Sequence, residues 1–262
     1  MNKNTAVAFV AAVFFGGMLA VNTLANVLPI NGRSTKQVSD LYPSLFTPAG
    51  LTFSIWSVIY LLLLGFVILA WARRNSNFIK TLMPWFIGTC ALNMCWIFAW
   101  HFLLPAVSVV IMLALLVSLI SIFMILQNHH PADLKEHAFV YLPFTLYFGW
   151  ICVATIANIS ALLVSMKWQV AFLSPEQWTV VMMCAAAALS VVMAIRFRAS
   201  AFVVVVIWAL LGIYLRWDDT EYVHIPRAAI ALMVALTAIF FYSLRRSMVR
   251  RNMESTKKAH AF

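Results

Sequence analysis

Apolar runs of about twenty residues, broken by short polar joints, set the pattern of this chain. A helix that crosses a bilayer needs about 20 apolar residues at 1.5 Å rise each. Eight runs meet that length: 5–28, 49–72, 81–103, 105–127, 137–165, 178–196, 199–216 and 226–245. The joints carry turn or charge signals, namely Pro29 with Asn31-Gly32, Arg73-Arg74-Asn75, Pro105, Asn128 to Pro131, Ser174-Pro175, Arg196 to Arg198, and Asp218-Asp219. Pro105 separates its neighbours by so little that one kinked helix over 81–127 is the alternative to two, and the seventh run is short. Lys3 ahead of an apolar run and Thr23-Leu24-Ala25 resemble a signal peptide and its cleavage site, but the first run is long enough to span. The pattern predicts an all-α, polytopic membrane helical bundle of about eight transmembrane helices.

Composition agrees. A chain 64% apolar and 10% charged, with a mean hydropathy of +0.94, is too apolar for a water-soluble globule. The net charge of +10 sits in short loops and at the C-terminal end, where Lys and Arg set topology and meet anionic headgroups, so no nucleic-acid partner is expected. With the N-terminus inside, the inner segments hold Lys3, Arg73, Arg74, Lys80, Lys135, Arg196, Arg198, Arg245, Arg246, Arg250, Arg251, Lys257 and Lys258, which is 13 of the 18 basic residues. The expectation is therefore a multi-pass protein of a bacterial inner membrane with both termini cytoplasmic. Residues 246–262, basic and without apolar periodicity, are expected to form a disordered cytoplasmic tail.

Chemistry is sparse. Cys90, Cys95, Cys152 and Cys184 lie inside apolar runs without metal-ligand spacing, and read as packed thiols. No Ser/His/Asp set, carboxylate pair or phosphate loop can be assembled, so no catalytic residue and no metal site is assigned. His129-His130 reads as a solvated loop pair, with metal or haem ligation as the alternative. No Asp or Glu lies mid-run and His101, near the end of the third run, is the only candidate for a proton relay, which disfavours proton-coupled pumping.

The aromatics and amides are more informative. Trp71, Trp85, Trp168, Trp178 and Trp217 fall at run ends and read as an interfacial belt, whereas Trp56, Trp96, Trp150 and Trp208 sit deeper. Phe53, Trp56 and Tyr60 follow i, i+3, i+7, as do Asn93, Trp96 and Trp100, while Trp150, Ala154 and Asn158 step by four along one face. Counted from the outer ends, Trp56, Asn93, Trp96 and Asn158 share a layer roughly 10 to 15 Å deep. Asn22 and Asn26 fall just above it. Amides in hydrocarbon must be paired, so they turn inward, either to glue helices together or to orient a ligand in a mostly apolar pocket.

The entry to the second run, "LFTPAGLTFSIWSVIY", resembles the tryptophan-rich sensory protein, or TspO/translocator protein, family, whose second helix follows Trp-x-Pro-Pro-Gly-Trp-x-Phe and then Trp-Thr-x-x-Tyr. Pro48, Gly50, Phe53, Trp56 and Tyr60 match in register; Phe46, Ala49, Leu51 and Ser57 stand where that pattern has Trp, Pro, Trp and Thr. "LNMCW" matches its Leu-Asn-x-x-Trp through Asn93 and Trp96. "WICVATIAN" matches its Trp-x-x-Phe-Ala-x-x-x-Asn through Trp150, Ala154 and Asn158, with Val153 for Phe. The matched blocks lie within about residues 5–165. The resemblance implies a five-helix core over 1–165, an extension of three further helices over 166–245, and a pocket in the outer half of the core, covered by the loop after the first helix.

Family members bind flat hydrophobic molecules such as porphyrins and sterols, and some are proposed to promote porphyrin breakdown. The expected function is accordingly binding or sensing of a flat hydrophobic ligand, porphyrin- or heme-like, another tetrapyrrole or a lipid. Its expected contacts are Trp56, Phe53, Tyr60, Asn93, Trp96, Trp150, Ala154, Asn158, Asn26 and Pro48. A permease for a small amphiphile is the alternative, and an enzyme acting on the pigment ranks last for want of catalytic groups. Expected partners are membrane lipid and the small molecule, with a homodimer left open.

Overall fold

The computed structural model describes residues 2–28, 30–168 and 173–259, with side chains described as far as Arg245. Ten helical segments are named here in chain order. They are α1 (Lys3–Val27), α2 (Thr35–Asp40), α3 (Ile55–Ala72), α4 (Asn77–His101), α5 (Pro105–Gln127), α6 (Leu134–Glu136), α7 (Leu142–Ser165), α8 (Pro175–Phe197), α9 (Ser200–Trp217) and α10 (His224–Ala259). Short 3-10 turns cover Ile30–Gly32 and Gly50–Ser54, and a π turn, His137–Tyr141, joins α6 to α7. No strand occurs among the described residues. Among the described residues, eight helices are long and apolar enough to cross a membrane, and the protein is a multi-pass membrane protein.

The joint at Pro105 makes two helices. Leu103 takes a left-handed conformation (φ 58°), the Leu104 N–H reaches back to the Ala99 carbonyl at 3.0 Å, and Pro105 opens α5 where its missing N–H costs nothing. Both short polar joints Ser34-x-x-Gln37 and Ser174-x-x-Gln177 form capping boxes, which start α2 and set the first residue of α8 at Pro175, ahead of the expected 178. α10 corrects an expectation. Its backbone continues as helix through 246–259, in place of the disordered tail expected there, because Arg, Met, Glu, Lys and Ala all favour helix. His260 to Phe262 of that tail lie outside the described residues.

Five of the spans close into a ring in the order α1, α4, α5, α7, α3 and back to α1. The helices α8, α9 and α10 pack on one another and meet the ring mainly where α9 lies along α7. Small residues at the contact let membrane helices approach this closely: at Gly149 on α7 an added β-carbon would lie 3.2 Å from Val205 and 3.4 Å from the Phe202 ring of α9. α7 is the most enclosed element, with Phe144, Tyr147, Trp150 and Ile151 all buried, while Leu61, Ile68, Val110 and Val234 turn large apolar side chains outward to lipid.

Candidate functional site

Three helix faces and one loop meet near one end of the ring. From α3 and the turn before it come Phe53 and Trp56, from α4 Trp96 and Trp100, and from α7 Trp150, Val153, Ala154, Ala157 and Asn158. Thr35 and Ser39 of α2, with Thr47 and Pro48, cover them. Together they line a cavity of about 50 Å³ without a charged side chain. The i, i+3 and i+4 spacings read from the sequence put these residues on inward faces, as helical periodicity dictates.

Its walls are aromatic rings in contact. Trp56 stands edge-on to Trp150 at 6.2 Å between centroids and to Tyr147 at 5.7 Å, and Phe53 meets Trp150 edge-on at 6.1 Å. Trp96 and Trp100 stack at 5.7 Å. Such pairs fix ring orientation beyond what burial alone provides.

Seven of the ten residues expected from the sequence line this cavity, and three do not. Tyr60 lies one turn along α3, stacked on Trp56 at 5.3 Å. Asn26 is exposed, and its amide bonds the Asn22 carbonyl, because Asn22 is the residue of that pair that reaches α4. Asn93 is buried between helices. Its Oδ1 accepts from Asn22 at 2.7 Å, and its amide nitrogen donates to the Tyr147 hydroxyl at 3.3 Å.

Asn158 lines the cavity but is also bonded, to the Ser108 hydroxyl of α5 at 3.1 and 3.2 Å. Both inward asparagines are thus occupied in holding helices together. Two of the indoles are not. Trp96 and Trp150 are buried at 8% and 2% exposure, and the Nε1–H of each has no acceptor among the described residues. A buried donor without a partner costs about 1 to 3 kcal/mol, so two at one cavity call for an explanation.

The cover is tied down on the α4 side. The Trp100 indole donates to the Thr35 carbonyl at 3.3 Å, and Asn31 donates to the His101 carbonyl at 3.0 Å. His101, fully buried, gives its Nδ1–H to the Ile97 carbonyl at 2.8 Å and turns Nε2 to the Thr35 hydroxyl at 3.5 Å. Tyr42 packs on Trp100 at 5.7 Å, and burial pushes its phenol up, keeping it a neutral part of the cover.

Periodicity alone does not single out Thr35, Ser39, Thr47, Ala157 or Ser108. The capping box at Ser34 is the available signal for the first two. Trp217, which reads from the sequence as part of the interfacial belt, bonds the Leu45 carbonyl through its indole at 2.8 Å. The His129-His130 reading also changes, since His129 stacks on Phe78 at 3.6 Å between centroids and lies 3.4 Å from the buried Glu136 carboxylate. A larger recess of about 370 Å³ lies between the same loop, α7 and α8, but its hydroxyls on Ser44, Ser160 and Thr179 are each bonded internally. The smaller cavity, with two buried indole N–H groups that lack acceptors among the described residues, is the candidate site.

No curated protein and no solved structure matches the chain. A family model does, over residues 8–242, so the match runs on through all eight spans, beyond the motif-bearing stretch that ends near 165. With the Pro48 to Tyr60 block, Asn93-x-x-Trp96 and Trp150 to Asn158 each on the expected helix, the chain belongs to the family described as TSPO-like protein.

Proposed function

We propose that this integral membrane protein of the TSPO-like family binds a flat hydrophobic molecule bearing hydrogen-bond acceptors, of tetrapyrrole type, in the cavity between α3, α4 and α7. The observation that carries this reading is the pair of buried, acceptor-less indole N–H groups of Trp96 and Trp150. Rings of Phe53, Trp56 and Trp100 supply flat apolar walls, and ring nitrogens or carbonyl oxygens of the ligand would accept from the two indoles. The cavity of about 50 Å³ is well short of the roughly 300 to 1,000 Å³ of ordinary ligand pockets. On this reading the structure is a closed form, and the ligand enters when the loop 41–54 rises. The Lys/Arg count supports placing the loop end at the outer face, with both termini cytoplasmic.

The test is a titration of the protein in lipid nanodiscs with protoporphyrin IX dimethyl ester, followed by its absorption band near the blue edge of the visible. A saturable shift at one ligand per chain is the expected result. A shift that grows linearly, as in empty nanodiscs, removes the proposal.

A further inference from the structure

The helices α8, α9 and α10 contribute nothing to the cavity lining, yet α9 reaches the loop that covers it. The Trp208 indole donates to the Thr52 carbonyl at 2.9 Å. One turn on, the Gly212 carbonyl accepts the Ala49 N–H at 2.9 Å. After a further turn, the Arg216 guanidinium meets the Asp40 carboxylate at 3.4 Å, and next to it the Trp217 indole donates to the Leu45 carbonyl at 2.8 Å. Positions 208, 212 and 216 step by four, so one stripe of α9 faces the loop.

The contact at Gly212 is made by the helix backbone itself. A β-carbon there would collide with the Thr52 hydroxyl and lie 2.9 Å from the Pro48 side chain. The attachment points on the loop are residues 45, 49 and 52. Between the first two lie Thr47 and Pro48, the residues that cover the cavity. The cover is thus pinned to α4 through Thr35 on one side and to α9 on the other.

We infer that α9 is a clamp on the cover, and that the three helices after the ring serve to control access to the cavity. Release of the loop 41–54 from α9 sets the rate at which a ligand enters and leaves. The rate statement rests on the binding function proposed above; the clamp itself does not.

Hydrogen exchange of the full chain in nanodiscs reads the clamp directly, without any ligand. Trp208→Phe with Trp217→Phe removes two indole donors and keeps the rings. Exchange over residues 41–54 is expected to rise about tenfold, with α4 and α7 unchanged, and porphyrin association and dissociation to quicken in parallel. Unchanged exchange over 41–54 in the folded double variant overturns the clamp.

A second variant tightens the contact instead of loosening it. In a Cys95→Ser, Cys184→Ser background, Asp40→Cys and Arg216→Cys are bridged by a reducible bis-methanethiosulfonate linker. The bridge is expected to slow porphyrin association at least tenfold and reduction to restore it; association unaffected by the bridge overturns the control of access. If wild-type protein binds no porphyrin while the double variant still exchanges faster over 41–54, the binding function fails and the clamp stands.

Discussion

The side-chain amide of Asn22 on α1 donates to the Asn93 carbonyl oxygen on α4 at 2.7 Å, and the Asn93 amide passes the chain on to the Tyr147 hydroxyl of α7 at 3.3 Å. Three helices of the ring are linked by one buried residue. Asn93→Ala is therefore expected to act on stability, by about 0.6 to 1.7 kcal/mol, the range for hydrogen bonds between membrane helices. Thermal unfolding in detergent measures it, with Asn22→Ala and the double variant closing the cycle. Full additivity of the two substitutions would show that the bond carries no coupling.

Trp96→Phe and Trp150→Phe keep an aromatic wall and delete the free N–H. Each is expected to weaken porphyrin ester binding about three- to tenfold, the worth of one hydrogen bond. Asn93→Ala, by contrast, should change affinity by less than about twofold, since its amide already has partners. Titrations of the three variants against wild type decide between indole and amide as the group that meets the ligand.

Ala154 lines the cavity from α7, where a larger side chain would take up the remaining space. Ala154→Leu is expected to abolish porphyrin binding while lowering stability by no more than about 1 to 3 kcal/mol, the usual cost of overpacking. Binding that survives the substitution would place the ligand elsewhere.

At the opposite end of the ring, Gly65 of α3 lies against the Phe139 ring of the π turn, and a β-carbon there would run into that ring. Gly65→Ala is expected to destabilise by about 1 to 3 kcal/mol. Gly88, with open space around it, is the control: Gly88→Ala should be neutral or slightly stabilising.

The loop before α6 supplies a pH dependence. The backbone N–H of Glu136 and then the Arg73 guanidinium hold the Asp133 carboxyl below its ordinary range. A carboxyl that ionises more readily folded than unfolded stabilises the fold at and above the unfolded value of about 3.9, and loses that contribution as pH falls through its lowered folded value. Asp133→Asn is expected to lower the melting temperature at neutral pH and to flatten its decline between about pH 5 and 3. An unchanged acid limb would show that Asp133 contributes nothing to it.

The spans are legible because each carries its own signal: length, apolar content and a break. Even the joint at Pro105 follows once Leu103 turns left-handed, although proline alone leaves a kinked helix open. The wall residues are legible because Trp150, Ala154 and Asn158 share one helical face. What local periodicity does not contain is who meets whom. Ser108 carries no mark of its bond to Asn158 in a helix of Leu, Val and Ile, and Trp217 at a span end looks like any interfacial tryptophan. The bond from Trp208 to Thr52 joins positions 156 apart in the chain, so only the packed structure shows it.

The ring order also dictates a sequence of events during synthesis. α3 is made second among the spans but meets α7, the fifth, across the ring. At about 5 to 20 residues per second, the chain between Ala72 and Ser165 takes roughly 5 to 20 s to appear. Until it does, the face carrying Phe53, Trp56 and Tyr60 has no Trp150 or Tyr147 to close against. The aromatic wall of the cavity thus waits for α7, as does the facing side of α5, and a ribosome that stalls after α5 leaves both open.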